Sequence, residues 1–212
     1  MISKLRKLEK GQRLQYFKDY YLLKIIAGIV ILAFVVSFLK DTYNNKKVVL
    51  NISYVNVTLE DDGLSFLTDD VRDNIGLKNG KKIAVSFAGS IRTMEDANNA
   101  YALSSKLLVG NPDILIADEA GYRTLAFSKP FLDMDEEFKN DDEMKEIIEK
   151  YGVKNKDIDG NESYVDAIDI TDTNFAKNYI STNDDSRIYF TIAVGSSHMD
   201  YVKKVIKYLE ES

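Results

Sequence analysis

Small polar residues and one carboxylate stand where the predicted strands end, and residues of these types bind ligands through hydrogen bonds. In an open α/β sheet, ligands lie beyond the carboxyl ends of the strands, where helix N-termini offer free N–H groups. We therefore expect a ligand site there, with helix capping or turn formation as the alternative for each residue. The candidate residues are Ser86, Gly89, Ser90, Asp118, Gly195, Ser196 and Ser197.

A second pattern, NKDIDGNESYVD, approaches the spacing of a calcium-binding loop. Such loops place oxygen ligands at alternate positions around a central glycine and end on a bidentate glutamate. This chain has asparagine at the first position and aspartate at the last, so an Asp-Gly turn before a strand is the alternative. The candidate metal ligands are Asn155, Asp157, Asp159, Asn161 and Asp166.

No spacing in the sequence selects a set of catalytic groups. His198 is the single histidine and the chain has no cysteine. These counts exclude a metal cluster built on histidines and a cysteine nucleophile. No carboxylate pair stands out as a general acid and base. We expect a non-catalytic protein without a cofactor, apart from calcium if the loop binds it.

Strands that alternate with helices must position these residues. Runs rich in β-branched residues predict strands over residues 48–59, 81–87, 113–118, 163–170 and 187–194, and helical spacing of apolar residues predicts helices over residues 64–77, 92–108, 119–127, 140–152 and 198–212. In the helix over 92–108, the inward side chains are expected to be Met94, Ala97, Tyr101, Leu103 and Leu107. The alternation predicts an α/β layered domain with a mainly parallel or mixed sheet.

The N-terminal part of the chain has the pattern of a single transmembrane helix. Residues 20–39 carry one charge, Lys24, and twenty helical residues span about 30 Å, the thickness of a bilayer core. Residues 1–24 carry seven Lys and Arg against two acidic residues, a net charge of +5 that leaves −11 for the remainder. Positive charge before the apolar run predicts a cytoplasmic N-terminus. A core helix and a cleaved signal peptide are the alternatives, but the run lacks a polar face and an A-x-A site.

The sequence therefore divides into four parts with different environments. They are a cytoplasmic basic segment (1–19), a transmembrane signal anchor (20–39), a spacer (40–47) and an extracytoplasmic α/β domain (48–212). This organisation predicts a single-pass protein of the cell membrane whose C-terminal domain is extracellular. The acidic outer part argues against nucleic acid as a partner.

The segment KLLVGNPDILIADEAGYRTLAFSKPFLDM resembles part of the extracellular solute-binding proteins of ABC importers. The shared features are a turn with Gly110, Pro112 and Asp113, a strand that ends near Asp118, a helix, and an apolar and acidic close. The C-terminal IYFTIAVGSSHMDYVKKVIKYLEE looks like that family's ending, and KGQRLQYFKDYYLLKII is similar to membrane-anchored Gram-positive proteins that carry such a domain. The resemblance implies a periplasmic-binding-protein-like domain, reduced because complete two-lobed binding proteins are much longer.

On this resemblance we expect a non-catalytic binding or accessory domain beside a membrane protein such as a transporter. The sequence does not identify a small-molecule ligand. The alternative is a structural interaction protein that assembles a membrane complex without any ligand. An enzyme is a third hypothesis, which would need turnover that depends on a named carboxylate such as Asp118.

Overall fold

A computed structural model describes residues 22–45, 48–77, 80–92, 96–156, 163–183 and 186–211. The chain divides into two units, Met1–Lys47 and Val48–Ser212. Helix α1 (Leu23–Asn45) belongs to the first unit, and the side chains described from residue 24 to residue 40 are exposed. The exposed fraction of its large apolar side chains reaches 74% at Phe34. The helix continues to Asn45, within the predicted spacer.

Among the residues that the structure describes, no helix combines the length and the apolar character needed to cross a membrane. The predicted anchor, residues 20–39, begins outside these residues.

The second unit is a sheet with helices on both faces. Its strands are β1 (Val48–Val55), β2 (Thr58–Leu59), β3 (Lys82–Gly89), β4 (Ile114–Asp118), β5 (Gly152–Lys156), β6 (Ser163–Asp169), β7 (Ile180–Ser181) and β8 (Ile188–Ile192). Its helices are α2 (Asp61–Ser65), α3 (Val71–Asn74), α4 (Ala97–Leu108), α5 (Glu119–Ala126), α6 (Met134–Glu137), α7 (Asp142–Tyr151), α8 (Asn174–Tyr179) and α9 (Met199–Glu211), with a π-helical turn (Phe66–Asp70) between α2 and α3.

Six strands form a mixed sheet in the order β3-β1-β4-β8-β6-β5, while β2 and β7 pair separately. Strand β1 is parallel to β3 and to β4, whereas β8 is antiparallel to β4 and β6, and β5 is antiparallel to β6. The predicted α/β fold with a mixed sheet is therefore confirmed. Strand β5 was not predicted, because its sequence GVKNK has one apolar side chain and no alternation.

The helices divide unequally between the two faces of the sheet. On the first face, the π-helical turn and helices α3, α6, α7, α8 and α9 bury apolar side chains around Ile52, Ile116 and Phe190. On the second face, α4 and α5 are the described helices that bury side chains, around Leu115 and Ala117. The second face is thus covered mainly near β1 and β4.

Helix α4 buries fewer of its apolar side chains against the sheet than the sequence predicts. Leu103 and Leu107 are 5% and 0% exposed, but Tyr101 is 77% exposed and Ala97 is exposed too. Because successive helical residues turn by about 100°, Tyr101 points away from the side that carries Leu103. The inward prediction was therefore wrong for Tyr101 and Ala97, and Met94 lies outside the described residues.

Asp113 is a buried carboxylate that joins three segments at the edge of the sheet where β4 begins. It is 0% exposed. One oxygen accepts a hydrogen bond from the backbone N–H of Asn51 at 2.9 Å, and the other lies 2.8 Å from Ser196 Oγ and 2.9 Å from His198 Nδ1. Beside it, a Cβ on Gly110 would collide with the carbonyl oxygen of Gly195. These contacts hold the residues between β8 and α9 against β1 and β4.

We expect Asp113→Ala to lower the free energy of unfolding by about 3 kcal/mol, because three partly buried groups that bond to the carboxylate lose their partner. Urea denaturation of the full-length chain measures this change. The control is Ser197→Ala at an exposed neighbour, with an expected change below about 0.5 kcal/mol. Equal stability of Asp113→Ala and wild type would contradict the joining role.

Candidate functional site

Doubly wound sheets usually bind ligands at a position that corresponds here to the carboxyl ends of β1 and β4. The connection that leaves β1 packs on the first face, and α5, which follows β4, packs on the second face. Neighbouring strands whose connections leave toward opposite faces open a crevice between them. Asn56 follows β1 and Asp118 ends β4, so both lie at this crevice.

The chain's own polar groups fill this crevice. Asp118 is 2% exposed, and its Oδ1 accepts hydrogen bonds from Gly121 N at 2.7 Å and Asn56 Nδ2 at 2.8 Å. Its Oδ2 lies 3.4 Å from an Arg92 guanidinium nitrogen. Asn56 has a positive φ of 60° and accepts the N–H of Ile91 at 2.6 Å. Asp118 is thus the N-cap of α5, the role that the sequence left as the alternative to ligand binding.

The predicted serines and glycine on β3 lie close to this crevice without forming a pocket with Asp118. Ser90 Oγ donates to Asn56 Oδ1 at 3.3 Å, and Gly89 has a φ of +112°, which favours glycine. Ser86 lies within β3, where its Oγ is 3.0 Å from Ser53 Oγ. It lines a separate cavity of about 300 Å³ between β3 and α4.

Residues 195–197 lie at the opposite edge of the sheet. Because β8 is antiparallel to β4, Ile192 pairs with Ile114 at the start of β4 and Ile188 pairs with Asp118 at its end. The residues that follow β8 therefore lie where β4 begins. Ser196 bonds there to Asp113, Gly195 packs on Gly110, and Ser197 is exposed. The structure does not bring the seven candidate residues together at one edge.

A cavity of about 440 Å³ lies on the second face, on the far side of α5 from α4. We call it the tyrosine pocket. Tyrosines from three elements line it, together with three cationic side chains and a mixture of apolar and amide groups. The lining residues are Tyr122, Arg123, Ala126, Phe127, Lys129, Val153, Lys154, Asn155, Tyr164 and Tyr189.

The strand connections explain why this part of the sheet is open. Strands β5 and β6 are antiparallel neighbours along the chain, and antiparallel neighbours need no crossover helix. The helices α7, α8 and α9, which flank β5, β6 and β8 in the chain, bury their apolar side chains on the first face. Among the described helices, α5 therefore forms one wall of the pocket, and the strands form its floor.

A β-bulge places a carboxylate beneath the tyrosines. Val153 pairs with Ala167 and Lys154 pairs with Val165, so β6 has one extra residue, Asp166, between these pairs. Bulges of this kind redirect a side chain and are common beside functional sites. Asp166 is 1% exposed and accepts hydrogen bonds from Tyr122 Oη at 2.5 Å and from Asn155 Nδ2 at 3.0 Å.

The tyrosine rings are fixed by their packing and remain neutral. The ring centroid of Tyr122 lies 4.9 Å from that of Tyr189 and 6.0 Å from that of Phe131. Burial, with the hydrogen bond to Asp166, raises the pKa of Tyr122 well above its usual value, and burial likewise raises the pKa of Tyr189. Burial also raises the pKa of Asp166. The two phenols are therefore hydrogen-bonding groups at physiological pH and not bases.

Sequence reasoning missed this pocket. Tyr122, Tyr164 and Tyr189 fit helical or strand spacing, so each reads as a core residue. They come from elements that are far apart in the chain, and only the antiparallel placement of β6 and β8 beside β4 brings them together. The sequence carries no local signal for that pairing.

Two of the five predicted calcium ligands, Asn155 and Asp166, lie in or directly beneath the tyrosine pocket. Asn155 and Asp166 lie on adjacent strands and bond to each other, whereas Asp157, Asp159 and Asn161 lie outside the described residues. In the part of the chain that the structure describes, no three acidic or histidine side chains are grouped to hold a metal ion. Calcium binding by the loop stays a prediction.

Comparison with protein-family models, curated proteins and solved structures gives no match to this chain. The resemblance to solute-binding proteins therefore rests on its motifs, and the geometry of the tyrosine pocket carries the functional reasoning.

We expect the phenol of Tyr122 to ionise only well above pH 10, the ordinary tyrosine value. The folded state favours the neutral phenol, so the stability from this contact is present below the unfolded pKa and is lost as the pH rises above it. The chain has thirteen tyrosines, and some of them ionise only above the ordinary range. Absorbance at alkaline pH should show one fewer of these in Tyr122→Phe. A loss from the group that ionises near pH 10 would contradict the hydrogen bond to Asp166.

Proposed function

We propose that this chain is a non-catalytic binding domain that is anchored in the cell membrane and holds a small molecule in the tyrosine pocket outside the cell. The observation that carries the proposal is the pocket itself. Its volume of about 440 Å³ falls within the range of about 300–1,000 Å³ that is usual for small-molecule sites. Such sites combine aromatic walls with a few convergent polar groups, as this pocket does.

The chemistry of the pocket favours binding over catalysis. Neutral phenols with raised pKa values donate and accept hydrogen bonds but are weak bases at physiological pH. The carboxylate of Asp166 beneath them is buried, and its two oxygens accept hydrogen bonds from Tyr122 and Asn155. A ligand would therefore meet rigid rings and fixed donors, which are suited to holding a molecule in place.

The anchor part of the proposal is supported by the composition of the N-terminal residues. The apolar run over residues 20–39 follows a basic segment, and α1 exposes side chains such as Ile31, Phe34 and Phe38 to more than 60%. An apolar run without a polar face is stabilised where hydrocarbon surrounds it. An anchored domain stays at high effective concentration beside a membrane partner such as a transporter.

A role in assembling a membrane complex is the second candidate, and exposed aromatic side chains favour it. Tyr101 on α4 is 77% exposed, and Phe127 directly after α5 is 82% exposed. Exposed aromatic residues are common at protein interfaces. A photo-crosslinker at position 127 that captures a membrane partner in cells, together with no stabilising small molecule, would favour this role over ligand binding.

We expect at least one small molecule in a screen to raise the unfolding temperature of the full-length chain in detergent micelles. Binding to the native state adds about 2.7 kcal/mol at a ligand concentration 100 times the Kd. The same molecule should stabilise Tyr164→Ala much less, because that change removes an aromatic ring that lines the pocket. Equal stabilisation of both proteins would place the ligand elsewhere, and a screen without any stabilising molecule would contradict ligand binding.

We expect protease added to intact wall-less cells to remove an epitope tag fused to the C-terminus, because the basic segment before the apolar run keeps the N-terminus inside. An immunoblot for the tag measures this loss, and a cytoplasmic protein in the same cells controls for lysis. A tag that survives until the cells are broken would contradict the extracellular placement of the domain.

A further inference from the structure

We propose that the tyrosine pocket selects ligands that carry a carboxylate on a ring, either an aromatic acid or an acidic sugar. This inference rests on the proposed binding function and names its ligand class. The pocket combines two features that match the two halves of such a molecule. A cationic rim faces the charge, and the tyrosine rings face the body of the ligand.

The charge of the pocket is opposite to that of the domain around it. Residues 48–212 contain 18 Lys and Arg against 31 Asp and Glu, a net charge of −13. Among the described residues, the charged side chains that line the pocket are nevertheless Arg123, Lys129 and Lys154, and no described carboxylate belongs to the lining. A local field of the sign opposite to that of the surrounding surface attracts anions to the site and disfavours cations.

Of the acidic groups that the structure describes, Glu119 and Asp166 lie close to this rim, and neither one reverses its sign. Glu119 pairs with Arg123 at 2.7 Å along α5, and the guanidinium has further N–H donors to offer. Asp166 lies beneath the tyrosines at 1% exposure, where Tyr122 and Asn155 donate to its oxygens. The described side chains of the rim therefore carry a net positive charge.

The walls of the pocket favour a flat or ring-shaped body. Tyr122 and Tyr189 meet at an interplanar angle of 59°, so their rings form two walls that are inclined to each other. Tyr164 on β6 and the 82% exposed ring of Phe127 add further aromatic surface. Aromatic walls also surround quaternary ammonium ligands in other proteins. Here the three cations of the rim would repel such ligands, and an anionic ring fits both features.

Calorimetry on the full-length chain in detergent micelles tests the ligand class with four probes. Benzoate and glucuronate represent the two sources of a ring-bound carboxylate, and benzyl alcohol and glucose are their neutral counterparts. We expect at least one carboxylate to bind about tenfold more tightly than its neutral counterpart. Which carboxylate binds more tightly distinguishes an aromatic acid from an acidic sugar.

Two variants and their matched controls locate the effect in the pocket. Lys154→Glu should weaken binding of the preferred carboxylate about tenfold. Lys106→Glu, the same charge reversal at an exposed position of α4, should change the affinity less than about twofold. Tyr164→Ala should also weaken binding, whereas Tyr101→Ala should not.

Three results would overturn the proposal. Equal affinity for charged and neutral probes would refute the ligand class, as would equal effects of Lys154→Glu and Lys106→Glu, and in both cases the binding function would survive. Absence of carboxylate binding up to about 10 mM would also refute the class. The binding function itself fails if the wider thermal screen finds no stabilising molecule, or if every stabilising molecule acts equally on wild type and Tyr164→Ala.

Discussion

The antiparallel pairing of β8 between β4 and β6 determines where this domain can hold a ligand. Strands β3, β1 and β4 form the parallel half of the sheet, and β8, β6 and β5 form the antiparallel half. The described helices that flank the antiparallel half in the chain pack on the first face. Because α4 and α5 reach only part of the second face, β5 and β6 contribute open surface beside α5. The tyrosine pocket follows from that topology.

The crevice at the carboxyl ends of β1 and β4 is distinct from this pocket. The crevice between β1 and β4 has the topology of a ligand site, yet Asn56, Asp118 and Arg92 fill it with hydrogen bonds and an ion pair of their own. Buried polar groups that bond to one another make the surrounding structure rigid. A ligand that entered the crevice would have to break those hydrogen bonds. The domain thus has a closed crevice at one edge and an open pocket on the second face.

The sequence predicted those parts of the fold whose signal is local. The apolar run before Asp118 predicts a buried strand, and β4 is buried along its whole length. Helical periodicity likewise places Phe66, Val71 and Ile75 in the core. Strand direction has no such local signal, because it depends on pairing between distant segments, so residues 195–197 could not be assigned to an edge. The tyrosine pocket depends on the same pairing and on the bulge at Asp166, and neither is visible from spacing.

The most direct test of the central claim, that ligands bind in the tyrosine pocket, is NMR on the chain with ¹³C-labelled tyrosine rings. The small molecule that most raises the unfolding temperature is titrated in, and single Tyr→Phe variants assign the signals. The account predicts that the ring signals of Tyr122, Tyr164 and Tyr189 shift while that of Tyr54, which packs on Phe87 between β1 and β3, stays constant. A shift at Tyr54 with unchanged pocket signals would contradict it.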